Sequence, residues 1–374
     1  LEAEFTLYVD GKKTRPEAVF GNPRHMVREK MIPRPGRSWQ LPSGGALYFD
    51  TGVVEVATPV VEIGPECVVR AVRSLWEQIA FIRGELDAWE SAKGVSIRLE
   101  GFSAHYNVSL PPKAAHDSRA ASRFARLLVH LLHSPVMLLA ANCRSTGIGA
   151  RPRDGRIEIT ADFTPDLELM MASAALITGV TLSVAEWPAF DVDQLDKARL
   201  PLITDFAPRP HTSRKGFLAR FDCFPTNPFA CDPNEPIWST TSGEQLSLRQ
   251  IARKVAAKFR RSIQAVSNPS ICRHVFAVLS GRARSLLDFA ERPPCYEDVG
   301  RNINWARRTH RGIPRSRYER VIQRVITHRP IVIGSSSYQP EKMLGWFEIA
   351  FRNTKTGRRK VFTLDDLVGR CAET

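Results

Sequence analysis

The chain has 374 residues, 43% of them hydrophobic and 25% charged, which is ordinary for a water-soluble globular protein and enough for one large domain or a large one with a smaller satellite. No apolar run reaches the roughly 18–20 residues of a membrane span; the longest, Leu169–Val184, is interrupted by Ser173, Thr178 and Gly179, so no membrane partner is expected. The net charge of +14 sits mainly after residue 209, in Arg249, Arg253, Lys254, Lys258, Arg260, Arg261, Arg307, Arg308, Arg311, Arg315, Arg317 and Arg320. Such a surface attracts nucleic acid, anionic lipid or an acidic polypeptide. No usual nucleic-acid module is readable, so nucleic acid is not the expected partner. The seven cysteines, Cys67, Cys143, Cys223, Cys231, Cys272, Cys295 and Cys371, contain no C-x-x-C pair. They read as reduced thiols of a cytoplasmic protein and argue against zinc. No secretory signal is read, and since the first residue is not Met, a short leader is expected to precede it.

In chain order, a strand over 1–9 leads into a polar, proline-containing loop through residue 45. Strands over 46–50 and 53–58 follow. Val68–Trp89 carries Val69, Val72, Leu75, Trp76, Ile79, Ile82 and Leu86 at helical spacing. Val95–Leu99 and His105–Leu110 read as two strands joined by a turn at Gly101. Ser118–Leu139 reads as a helix with Asp117 as N-cap, Arg156–Asp162 as a strand, and Pro165–Val184 as a long buried helix. Seven prolines from Pro201 to Pro236 suggest a linker or crossover. Beyond it, helices are predicted over Leu246–Arg261, Ile271–Ala290, Val299–Arg307 and Arg317–Thr327. Strands are predicted over Ile331–Gly334, Gly345–Asn353 and Arg359–Thr363, with a turn at Thr356-Gly357. The domain division expected is 1–240 and 241–374, in an α+β fold with a smaller C-terminal region.

Side chains two apart on a strand share a face and lie about 6.5–7 Å from each other. Glu2 points with Glu4, His105 with Asn107, and Arg156 with Glu158. If these strands are neighbours, one concave face collects Glu2, Glu4, Asp50, Glu55, His105 and Glu158. Carboxylates so gathered repel one another unless divalent metal neutralises them, which points to magnesium and a nucleotide.

Leu1-Glu2-Ala3-Glu4-Phe5 resembles the opening E-x-E-F strand of glutamine synthetase-like carboxylate–amine ligases, and more closely the start of the Pup ligase and depupylase family. The segment from Gly44 to Pro59 is similar to that family's N-G-A-R-L-Y-x-D-x-G-x-H-P-E-Y-A-T run, one residue shorter between Asp50 and Glu55. Ser103-Ala104-His105-Tyr106-Asn107-Val108 resembles its G-x-H-E-N-Y strand, and Arg156–Asp162 with Ala174-Ala175-Leu176 its R-L-H-V-I-x-G-D strand and T-A-A-L helix. Weaker echoes occur at Ser247-Leu248-Arg249-Gln250 and Ile303-Asn304-Trp305. The chain departs from the pattern at Tyr106, at Glu158, and in lacking the G-A-R arginine. It shows no surplus length between Val9 and Gly44, where depupylases carry an insertion.

The resemblance implies a glutamine synthetase-like curved antiparallel sheet cradle packed with helices. It also implies an ATP- and Mg2+-dependent ligase that activates a carboxylate as acyl phosphate and forms an isopeptide bond. By strand geometry and resemblance together, Glu2, Glu4, Glu55, His105 and Glu158 are the expected metal ligands, with His105 neutral. Asp50 matches the catalytic aspartate that deprotonates the amine. Arg156 is the candidate for stabilising the transferred phosphoryl group, and Tyr48, on Asp50's face, for contacting metal-bound water or phosphate. The implied partners are a small acidic Pup-like protein and a lysine-bearing protein or other amine acceptor. Phosphotransfer to another acceptor (guanidino kinases share the cradle) and depupylase-like amidase activity stay open. So does non-catalytic nucleic-acid binding, explained by charge alone.

Overall fold

The computed structural model describes residues 1–111, 118–141, 145, 147–211, 215–288 and 314–371. Its strands are β1 (Glu2–Val9), β2 (Lys12–Thr14), β3 (Ile32–Pro33), β4 (Trp39–Gln40), β5 (Ala46–Asp50), β6 (Val53–Ala57), β7 (Ile97–Ser109), β8 (Gly147–Arg153) and β9 (Arg156–Asp162). They continue with β10 (Arg209–Pro210), β11 (Phe217–Arg220), β12 (Trp238–Ser239), β13 (Gln245–Leu246), β14 (Ile331–Ile333), β15 (Ser336–Met343), β16 (Glu348–Asn353) and β17 (Arg359–Thr363). The helices are α1 (Pro16–Phe20), α2 (Cys67–Lys93), α3 (Ser118–Ala140), α4 (Leu167–Ala185), α5 (Asp193–Lys197), α6 (Leu248–Lys258), α7 (Arg260–Val266), α8 (Pro269–Leu279), α9 (Arg317–Ile326) and α10 (Leu364–Cys371). The class is α+β, with antiparallel sheets. The chain divides into two compact units, one of residues 1–63, 70–102 and the described residues from 314, the other of 64–69 and the described residues from 103 to 288.

In the first unit the strand order runs β3-β4-β5-β6-β1, with β2 on β1 and the beginning of β7 next in line. β5 and β6 form a hairpin closed by Asp50 opposite Val53. Its two turn residues, Thr51 and Gly52, both have positive φ, 48° and 92°, the geometry that matches the right-handed strand twist. α2 buries its apolar stripe of Val72, Leu75, Trp76, Ile79, Ile82 and Leu86. It is tied to α9 by the buried Arg73–Glu319 ion pair at 2.6 Å. The sheet β14-β15-β16-β17 has its own core, in which Ile331, Ile349, Phe351 and Phe362 meet Val321 and Val325 of α9 and Leu364 and Leu367 of α10.

In the second unit the order is β7-β9-β8-β11-β10. One face of these strands, carrying Ala104, Tyr106, Val108, Ile148, Ala150, Ile157 and Ile159, is buried. Alternation then turns their polar residues to the other face. α3 packs on β8 and on α4, and α4 packs on α7 and α8. The α4–α7 approach depends on Gly179, where a Cβ would come 2.6 Å from the backbone N of Ile263. Length and hydropathy alone would let α3 and α4 cross a membrane, but 83% and 72% of their apolar windows are buried in the protein. They are core helices.

Several predicted boundaries move. Gly101 makes no turn: it lacks positive φ and is buried mid-strand, so β7 runs unbroken from Ile97 to Ser109. The stretch 10–45 contains β2, α1, β3 and β4. The basic helix over Leu246–Arg261 is divided at Phe259, whose φ and ψ of −102° and 13° leave the helical region. The next helix ends near Gly281, φ 75°, long before Ala290. The proline-rich stretch holds Phe206, Phe224 and Trp238 in the core, with ring centroids of Phe206 and Phe224 4.6 Å apart. It therefore belongs inside the second unit, and residue 240 does not divide the chain. The predicted helix Val299–Arg307, the Ile303-Asn304-Trp305 echo, the Asp117 cap, and Arg307, Arg308 and Arg311 lie outside the described residues.

Candidate functional site

Period-two alternation puts Glu2 and Glu4 on one face of β1. The register places Glu4 opposite Glu55 on β6, and Glu55 opposite Tyr48 on β5. Glu4, Glu55 and Tyr48 thus form one cross-strand row. Glu4 and Glu55 each bring a carboxylate oxygen within 4.8 Å of the other. All three acids are buried: Glu2 is 7% exposed, Glu4 8% and Glu55 2%. Asp50, two residues beyond Tyr48 on the same face, is half-buried at the hairpin end. Like charges directly opposite on a sheet are destabilising. A divalent cation that accepts hard oxygen ligands turns that repulsion into coordination. The donors of this strand pair are single carboxylates, the hard oxygen ligands that divalent cations accept.

Sequence reasoning missed Arg34 on the same unit. Arg34 stands between Pro33 and Pro35, is 8% exposed, and donates from Nη1 to Oε1 of Gln40 at 2.6 Å. Its Cζ lies 4.2 Å from the centroid of the Trp346 ring. Burial pushes its pKa down to about 10, against the opposing influence of Tyr48 and Glu2. The available sequence signal was a lone arginine locked between two prolines.

The second unit presents a different chemistry. Glu158 on β9 sits opposite Asn107 of β7 and Arg151 of β8, and Arg156 sits opposite Arg153. Arg153 holds Glu158 by two bonds, Nε to Oε2 at 3.0 Å and Nη2 to Oε1 at 2.9 Å. Arg151 pairs with Glu158 Oε1 as well. Arg156 donates from Nε to Oδ1 of Asn107 at 2.8 Å, so it partners neither Glu158 nor Asp162 there. His105 is 7% exposed. It lies within hydrogen-bond reach of Ser103 Oγ, at 3.2 Å from Nε2, and has a ring nitrogen within 4.8 Å of a Glu158 oxygen. Tyr106, which stands where the resembled family has an acid, is 3% exposed on the core face, and burial raises the pKa of its hydroxyl.

Arg151 and Arg153 also escaped the sequence reading, because β8 was not predicted. Its signal was the Asp154-Gly155 turn, with Gly155 at φ 65°, flanked by Arg151-Pro152-Arg153 and Arg156-Ile157-Glu158. The arrangement is a cationic strand surface, two arginines on one carboxylate with Arg156 beside them on Asn107, suited to phosphate oxygens. The structure thus gathers Glu2, Glu4, Glu55, Tyr48 and Asp50 on one strand set, and His105, Arg156 and Glu158 on another. Compared with models of known protein families and with curated proteins, the chain matches none.

Proposed function

We propose that this chain is an ATP- and magnesium-dependent carboxylate–amine ligase with a glutamine synthetase-like cradle. The observation that carries this reading is the buried Glu4–Glu55 pair, set directly opposite with Glu2 on the same face. These three carboxylates would hold magnesium, which would supply charge neutralisation to the polyphosphate when bound. Arg151, Arg153 and Arg156 bind and orient phosphate oxygens. Glu158, expected from sequence as a ligand, keeps a carboxylate oxygen within 4.8 Å of a His105 ring nitrogen while it also holds Arg151 and Arg153.

The γ-phosphoryl group of ATP passes to a carboxylate oxygen of the donor, and ADP leaves. The amine then attacks the acyl carbon, the bond from that carbon to the phosphate oxygen breaks, and phosphate departs. Asp50 takes the proton that the amine gives up, and Tyr48 orients water or phosphate from the same face. A net charge of +14 favours an acidic, Pup-like polypeptide as donor and a lysine as acceptor. A cytoplasmic setting agrees with Cys67, Cys223, Cys231 and Cys272, which are free thiols.

The test is incubation with ATP, magnesium, hydroxylamine and a panel of carboxylates including acidic polypeptides. The expected result is ADP and a hydroxamate in equal amounts, both abolished by chelation. ADP with a stable phosphorylated acceptor and no hydroxamate would move the reading to a phosphotransferase. Peptide cleavage that requires nucleotide without consuming it would move it to an amidase.

A further inference from the structure

Arg34 is a buried guanidinium spending little of its hydrogen-bonding capacity on the protein. A guanidinium carries five N–H donors in a planar fork. The one side-chain hydrogen bond it makes among the described residues goes to a neutral amide, Oε1 of Gln40. Among the described residues no carboxylate lies within ion-pair distance of it, although it is more than nine-tenths buried. Burying a charge is costly unless it is paired.

The surroundings hold this arginine still. Pro33 and Pro35 restrict the backbone on both sides, and the Arg34 amide donates to Ser38 O at 3.0 Å. The Gln40 side chain is itself oriented, because its Nε2 donates to Gly44 O at 2.5 Å. That leaves Oε1 to face Arg34. The Trp346 ring covers one face of the guanidinium, a stacking that favours arginine over lysine. Glu2 and Tyr48 are near enough to act on its charge, which puts it beside the acidic strand face described above. A pre-oriented fork with unused donors is a receptor for a planar or tetrahedral oxyanion.

We propose that Arg34, clamped by Gln40 and Trp346, is a binding residue for an oxyanion, the carboxylate of the donor substrate or a phosphate of the nucleotide. The inference rests on the ligase reading for the identity of those two sources, but anion binding at Arg34 is measurable without turnover.

The probe is tryptophan fluorescence of the full chain, titrated in separate arms with Mg-ADP and with L-glutamate, each against Trp346→Phe as the reference. A saturable change in one arm, missing from Trp346→Phe, identifies the source. Arg34→Met should weaken that binding at least tenfold while leaving the melting temperature equal or higher, since an unpaired buried charge is removed. Arg34→Lys, with charge but no fork, should bind with intermediate affinity. If Arg34→Met melts lower and binds both ligands as tightly as wild type, the arginine is structural and the proposal is overturned. Absence of any ligand-dependent change at Trp346 in either arm overturns it too. Anion binding without hydroxamate formation would sink the ligase reading alone. Hydroxamate formation by Arg34→Met with unchanged KM for ATP and for the carboxylate would sink this inference alone.

Discussion

Strands β1 and β6 set one carboxylate against another, whereas β8 and β9 set a carboxylate among arginines. Glu4 and Glu55 face each other at 8% and 2% exposure. Glu158, equally buried, accepts from Arg153 through both oxygens and from Arg151 through one. The second arrangement is self-neutralising, and its residual charge is positive. The first sets two carboxylates directly opposite each other, the arrangement on which the proposed cation site rests. The two regions therefore differ in the charge they present: one is acidic, the other basic.

The largest expected effect comes from breaking the acidic region. Glu4→Gln with Glu55→Gln removes both charges and keeps shape. Magnesium-dependent turnover should fall by a factor on the order of 10²–10³, while thermal unfolding shows equal or greater stability, because the repulsion is gone. Loss of stability with retained activity would show that the two acids are structural. In the basic region the balance reverses. Glu158→Ala leaves Arg151 and Arg153 without their carboxylate and should cost about 3–5 kcal/mol in denaturant unfolding, the range for breaking a buried pair from one side. A cost under about 1 kcal/mol would mean that solvent already screens the pair.

A pH series sharpens the comparison further, because the second unit also packs half-buried His130 and buried His133 against Phe206. Burial lowers their pKa values from 6.5 to about 4 and about 3, aided by Arg126 for His130 and by His130 for His133. The unfolded chain then binds more protons than the folded one below pH 6.5. Their contribution is full above pH 6.5 and is lost as pH falls towards 4. The urea midpoint should drop over that window in wild type and drop less in His130→Gln/His133→Gln. Parallel curves would contradict the assignment. The smallest effect is expected at the turn that shapes the basic hairpin: Gly155→Ala, at φ 65°, should cost about 1 kcal/mol. An unchanged unfolding midpoint would show that the turn does not depend on glycine.

The acidic region was legible because its information is local. Glu2-x-Glu4 and the Tyr48–Glu55 hairpin carry alternation and a two-residue turn in plain view, and register follows from them. The basic region was only half legible. Arg156-x-Glu158 reads as one face, yet its partner β8 is hidden by Gly147, Gly149 and Pro152, which depress strand propensity. Gly101 and the prolines between 201 and 236 misled in the opposite direction. Their backbone demands are met inside packed structure, where neighbouring buried residues such as Phe206 and Trp238 override the local signal. Arg34 was illegible because its significance lies in contacts with Gln40 and Trp346, the latter more than 300 positions away in the chain.

The most direct test of the central claim is manganese binding followed by electron paramagnetic resonance, with manganese in place of magnesium, in the presence and absence of ATP. Wild type should bind the ion, and more tightly with ATP, whereas Glu4→Gln/Glu55→Gln should leave it free in solution. Equal binding by the folded wild type and double variant, or none by wild type even with ATP, would contradict the account.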